Sequence, residues 1–185
     1  MDKAIKSTLV FKTVKTKTAA TVISIAAAVA LPQLFHLLGM VSNMGTSLGE
    51  TFLPMHIAIF MVGLLAGPVA GIISGALAPL ASFLLTGMPS SAMLPFMIIE
   101  LAMYGLISGL LAEKKLPTIA KLLAAQLGGR AVRAAAILFG YYLLQTKIAP
   151  SVILTSIYAG LPGLMLQWVI IPLVIFWINS KASNE

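Results

Sequence analysis

Six apolar stretches, at about 18–38, 52–66, 68–87, 92–112, 118–145 and 151–179, succeed one another along the chain with only short polar or Gly- and Pro-rich breaks between them. A helix rises about 1.5 Å per residue, so a stretch of ~20 residues matches the ~30 Å hydrocarbon core of a bilayer. Within that core every backbone N–H and C=O needs a partner inside the protein, which makes stretches of this length helical. The expected fold is therefore an all-α integral membrane protein, a single domain over 1–185 with six transmembrane helices. Composition agrees, with 59% of residues apolar and 9% charged, and a mean hydropathy of +1.03. The second stretch, about fifteen residues, is short for a crossing and must tilt or extend into its flanks. It opens with Leu53-Pro54-Met55-His56, where Pro54 suits a first helical turn because its missing N–H would have had no partner there.

The first stretch runs past any plausible signal-peptide length, so it is expected to remain as a membrane span. The chain has no cysteine, which excludes disulfides, thiolate metal sites and cysteine nucleophiles. A net charge of +7 invites a nucleic-acid reading, but the positions of the charges argue against such a partner. Lys3, Lys6, Lys12, Lys15 and Lys17 precede the first span, where positive charge sets topology. With a cytoplasmic amino terminus, Lys114, Lys115, Lys121 and Lys181 join them inside, and the outer loops carry Lys147. That nine-to-one distribution puts both termini in the cytoplasm. The outer loops then fall at about 39–51, 88–91 and 146–150, the first rich in Gly, Ser, Thr and Asn and suited to forming a lid.

Small residues recur at helical spacing. Ala26 and Ala30 in the first span, and Gly71 and Gly75 in the third, are each four apart on one helix face. Such faces let backbones approach closely, either within the bundle or against another membrane subunit.

One carboxylate, Glu100, falls inside the fourth apolar stretch, where a charge is costly unless paired, wetted or used. Counting from the span ends at the helical rise, Glu100 lies ~12 Å below the outer boundary. Arg130 and Arg133 lie ~18–23 Å from the inner one, so the three converge at middle-to-outer depth. Arg130 follows Gly128 and Gly129, which let a backbone or ligand come near. The group is either an ion pair stapling two helices or a polar pocket sharing its charges with a hydrophilic ligand. His56, one turn into the second span, and His36, near the outer end of the first, are anchor or contact candidates. Gln167 in the sixth stretch, with Asn43 and Ser47 in the first outer loop, adds hydrogen-bonding capacity; Tyr141, Tyr142, Phe96 and Trp177 suit interface or core positions, while Tyr158 and Trp168 fall at outer-to-middle depth in the sixth stretch.

Two histidines without a carboxylate or cysteine at matching spacing make no zinc signature, so no metal is expected. No phosphate-binding G-x-x-x-x-G-K-[ST] loop, nucleophile elbow or His-Glu-x-x-His motif occurs, and no soluble segment is large enough for an ATPase. Neither a cofactor nor an enzymatic activity is expected, and ATP-driven work would need other subunits.

A Lys-rich amino terminus, an alanine-rich first span with Ala26 and Ala30, the run LPMHIAIFMVGLLAGPVAGIISGALAPLASFLLTGMP and a fourth span reading IELAMYGLISGLL together resemble the substrate-binding S components of energy-coupling factor (ECF) transporters. The resemblance covers essentially the whole chain. Its strongest elements are Leu53-Pro54-Met55-His56, the turn from Gly63 through Gly67 to Pro68, and Thr86-Gly87-Met88-Pro89. It implies a six-helix protein in a bacterial plasma membrane that captures a vitamin from outside and then associates with a transmembrane coupling subunit and two cytoplasmic ATPases. It also implies that the Ala26/Ala30 face contacts the coupling subunit and that the loaded protein topples in the membrane to release its vitamin inward.

Glu100 suits a ligand rich in donors, such as pyridoxine or hydroxymethylpyrimidine, whereas Arg130 and Arg133 suit a carboxylate such as pantothenate. Because Glu100 lies nearer the outer entrance, the expectation leans to the pyridine or pyrimidine type, with pantothenate or cobalamin as alternatives. Readings from other classes are a stand-alone carrier gated by the Glu100/Arg130 pair, or a small membrane enzyme using Glu100 and His56 as acid and base.

Overall fold

In a computed structural model the chain forms eight helices, described over residues 10–43, 45 and 47–181. Lys3 and Lys6, two of the charges used above for orientation, lie outside the described residues. So do Met44 and Thr46 of the 39–51 loop, the side chain of Lys181 and residues 182–185. The helices are α1 (Val14–Val41), α2 (Ser47–Phe52), α3 (Pro54–Ala66), α4 (Pro68–Thr86), α5 (Leu94–Leu111), α6 (Thr118–Leu143), α7 (Ser151–Ala159) and α8 (Leu161–Lys181). Six segments are long and apolar enough to cross a membrane, α2 and α3 counting together as Ser47–Ala66 and the last being Leu161–Ser180.

Two of these segments differ from the sequence expectation. The short second stretch gains its length by taking in Ser47–Phe52, joined to α3 through Leu53 in a left-handed conformation with φ 49°. That conformation costs a side-chain-bearing residue about 1–2 kcal/mol. The stretch expected as one span over 151–179 is two helices, α7 and α8, separated at Gly160. Pro162 lies just past the break, where its lack of an N–H is tolerated in a first turn.

Apolar side chains in lipid gain little from burial against one another, so helix association rests on close packing. Its centre is a glycine seam: a Cβ on Gly71 or Gly105 would run into the other's carbonyl, and one on Gly75 would meet the Leu101 carbonyl. Gly71 and Gly75 thus serve packing within the bundle. The connection from α3 to α4 is the single residue Gly67, whose φ of 94° suits glycine. α1 lies across α3 and α4, tied by the Ser24 hydroxyl donating to the Ala58 carbonyl at 3.0 Å. Ala26 and Ala30 are exposed on its opposite side. α6 packs on α5, and α8 on α2, α3 and α6, while α7 rests on α2 and α8. Ile59, Phe60, Leu64, Leu101, Tyr104, Leu122 and Ile171 fill the core.

Lys121, counted above among the inner-face charges, is fully buried at the far end of α5, where its ammonium donates to the Ala112 carbonyl at 2.9 Å. A cation at a helix carboxyl end is favourably placed against the helix dipole.

Candidate functional site

Glu100 sits six residues into α5 and is 2% exposed, while Arg133, on the facing side of α6, is 9% exposed. Their side chains meet, Arg133 Nη1 lying 3.2 Å from Glu100 Oε2. The other carboxylate oxygen accepts the Tyr104 hydroxyl at 2.6 Å. Arg133 Nη1 also donates to the Ser156 hydroxyl of α7 at 3.2 Å, so this one guanidinium links α5, α6 and α7. α6 comes this close to α5 because Gly129 has no side chain: a Cβ there would strike the Tyr104 ring. Tyr104 in turn stacks against His56 and Phe60 of α3, with ring centroids 5.4 and 4.8 Å away.

A second polar chain lies beside the first. Gln126 on α6 donates through Nε2 to Gln167 Oε1 on α8 at 2.9 Å, and accepts from Trp168 Nε1 at 2.8 Å. Gln167 Nε2 reaches the Leu53 carbonyl at 3.4 Å. That carbonyl stands at the α2/α3 break, and Gln167 ties the break to α8. The two helix breaks adjoin: a Cβ on Gly160 would lie 2.9 Å from the Leu53 side chain and 3.4 Å from Arg130 Nη2. Irregular backbone at membrane depth is tolerated where it is buried in protein or lines a cavity.

Arg130 stands beside these breaks. Its Nε and Nη1 are buried without a hydrogen-bond partner, as are Arg133 Nε and His56 Nδ1. Arg130 borders a cleft of about 370 Å³ between α6 and α7, whose walls include Leu127, Ala134, Ile153 and Ile157.

The structure therefore brings Glu100, Arg133, Arg130 and Gln167 into one region, with His56 against its Tyr104 wall. Two other candidates lie apart. Asn43 occupies an exposed left-handed turn after α1, with φ 58°, and its side chain bonds none of these residues. Tyr158 is 70% exposed on α7, because the break at Gly160 gives that helix a course of its own instead of continuing α8. Ser47, also considered from sequence, is exposed at the start of α2. Sequence reasoning missed Tyr104, Gln126 and Ser156, and put Trp168 at outer-to-middle depth without a hydrogen-bond partner. Tyr104 follows Glu100 by four residues, and Gln126, Arg130 and Arg133 fall at i, i+4 and i+7 on one helix face, signals that were present. Ser156 had none.

Among the described residues, no three His, Cys, Asp or Glu side chains gather where a metal ion would be held. Comparison with protein-family models, with curated proteins and with solved structures returns no match for this chain.

Proposed function

We propose that this chain is the substrate-capture subunit of an ATP-driven importer of the energy-coupling factor type, taking up a water-soluble vitamin across a bacterial plasma membrane. The observation that supports it most is the polar centre of buried Glu100, Arg133 and Tyr104 with half-buried Arg130, set beside a cleft in a largely apolar six-span bundle. Ionisable groups at such depth mark substrate pathways. Six crossings return the chain to its starting side, in keeping with both termini in the cytoplasm, the side the lysine distribution favours. The chain itself is not an enzyme and needs no cofactor. ATP hydrolysis belongs to two cytoplasmic ATPase subunits acting through a transmembrane coupling subunit. The exposed small residues Ala26 and Ala30 leave a flat strip on α1 for that coupling subunit, since the bundle's own packing does not use them.

A second reading, a stand-alone carrier, draws on the adjoining helix breaks at Leu53 and Gly160, since interrupted helices frame binding sites in secondary transporters. Reconstitution separates the two. Liposomes holding this chain alone should bind vitamin without accumulating it, and uptake should appear only with the coupling and ATPase subunits and ATP. Accumulation by the chain alone would sink the capture reading.

A further inference from the structure

Resting on the capture reading, we propose that the molecule taken up is a small organic anion, bound with its carboxylate against Arg130 at the head of the cleft between α6 and α7. The argument is one of charge and hydrogen-bond accounting. Formal charges at the centre are one carboxylate and two guanidiniums. The carboxylate is already engaged on both oxygens, by Arg133 and by the Tyr104 hydroxyl. Arg130 has no ion pair or hydrogen bond, and two of its three nitrogens are buried. Arg130 is half-buried, and an anion nearby would offset the desolvation of its two inner nitrogens, which otherwise goes uncompensated.

Arg130 Nη2 lies against Gly160, the residue at which α7 ends and α8 begins. Polar neighbours of the cleft offer little to a donor-rich ligand. The Gln126 carbonyl accepts from Trp168 and its amide donates to Gln167, while the Ser156 hydroxyl accepts from Arg133 and donates to the Ile153 carbonyl. The unused groups on Arg130 are donors only, which suits a ligand group that only accepts. Along the walls of the cleft a pyridinium or aminopyrimidine finds no equivalent free acceptor. The walls, including Leu127, Ala134, Ile153 and Ile157, are apolar and match an uncharged ligand body. A volume of about 370 Å³ lies toward the small end of the range for small-molecule sites.

The test is calorimetry on the purified full-length protein in detergent. Probes are pantothenate, nicotinate and biotin, their uncharged counterparts pantothenol, nicotinamide and biotin amide, and pyridoxine and hydroxymethylpyrimidine. One carboxylate should bind about 100-fold or more tightly than its uncharged counterpart, the size expected for a buried charge-assisted contact. Arg130→Gln should abolish that ratio and Arg130→Lys should keep part of it. Neither should lower the melting temperature appreciably, since Arg130 makes no bond within the fold. The proposal is overturned by tighter binding of pyridoxine or hydroxymethylpyrimidine than of every carboxylate, by binding of no carboxylate, or by a ratio that survives in Arg130→Gln. Accumulation of a carboxylate by the chain alone would reject the capture reading and leave the anion site standing. ATP-dependent uptake of pyridoxine would do the reverse.

Discussion

Glu100 and Arg133 face each other across the α5–α6 seam at 3.2 Å, and Tyr104, one turn along α5, holds the same carboxylate from its other oxygen at 2.6 Å. The pair is buried, so its two halves depend on each other far more than a surface pair would. Arg130, one turn before Arg133, shares its helix face and has no such partner.

Removing one half of the pair should therefore be costly. Glu100→Ala is expected to destabilise the protein by about 3 kcal/mol or more, because Arg133 stays buried without a counter-ion. The double variant Glu100→Gln/Arg133→Gln should recover part of that loss, as measured by reversible unfolding in mixed detergent. A Glu100→Ala protein within about 0.5 kcal/mol of the parent would show that the pair contributes nothing to the fold.

Tyr104→Phe keeps the ring against Phe60 and His56 and deletes one charge-assisted hydrogen bond. Its expected cost is about 1.5–3 kcal/mol. Equal stability of parent and variant in the same unfolding assay would argue that water replaces the hydroxyl without loss.

Trp168 reports on the second polar chain. In a Trp177→Phe background it is the remaining indole of the two in the sequence. Gln126→Leu removes the acceptor of its N–H, so its fluorescence should move to shorter wavelength. Stability should fall by about 1–3 kcal/mol, since Gln167 loses its partner. An unmoved spectrum would mean that the bond to Gln126 does not form in solution.

The small-residue faces of α1 and α4 should respond differently to bulk. Gly71→Ala places a Cβ in the Gly105 backbone and is expected to disrupt folding, seen as loss of a monodisperse peak in detergent chromatography. Ala26→Trp projects from an exposed position. It should fold and bind ligand normally yet fail to co-purify with the coupling subunit. Co-purification at the parent's level would remove Ala26 from the docking surface.

Much of this arrangement was legible in the chain, and the reasons are physical. Hydropathy found the six crossings because lipid demands continuous apolar length, and it singled out Glu100 because a carboxylate at that depth needs a reason. Helical rise alone brought Glu100 and the two arginines to similar depth, though it left open which arginine would take the pair. Arg133 does, because Gly129 lets α6 close on Tyr104 and carries that face of the helix to α5. The breaks at Leu53 and Gly160 were harder to read. Leu53 adopts a left-handed turn that its side chain disfavours, so local preference pointed elsewhere and the shortness of the second stretch was the available hint. Gly160 and Pro162 were visible, but an unbroken apolar run concealed the stop. Tyr158 was placed in the site on the assumption of one continuous helix.

The glycine seam also sets how load is shared through the molecule. Where Gly71 meets Gly105, main chain bears on main chain, and no rotamer change can soften the joint, so α4 and α5 behave as one stiff beam. α7 is different: it has no buried residue, and Ser156 fastens it to the beam's polar flank through Arg133. A force that lifts α7 therefore meets that latch and the packing of α7 on α2 and α8, so the wall beside the cleft is held less firmly than the α4–α5 beam.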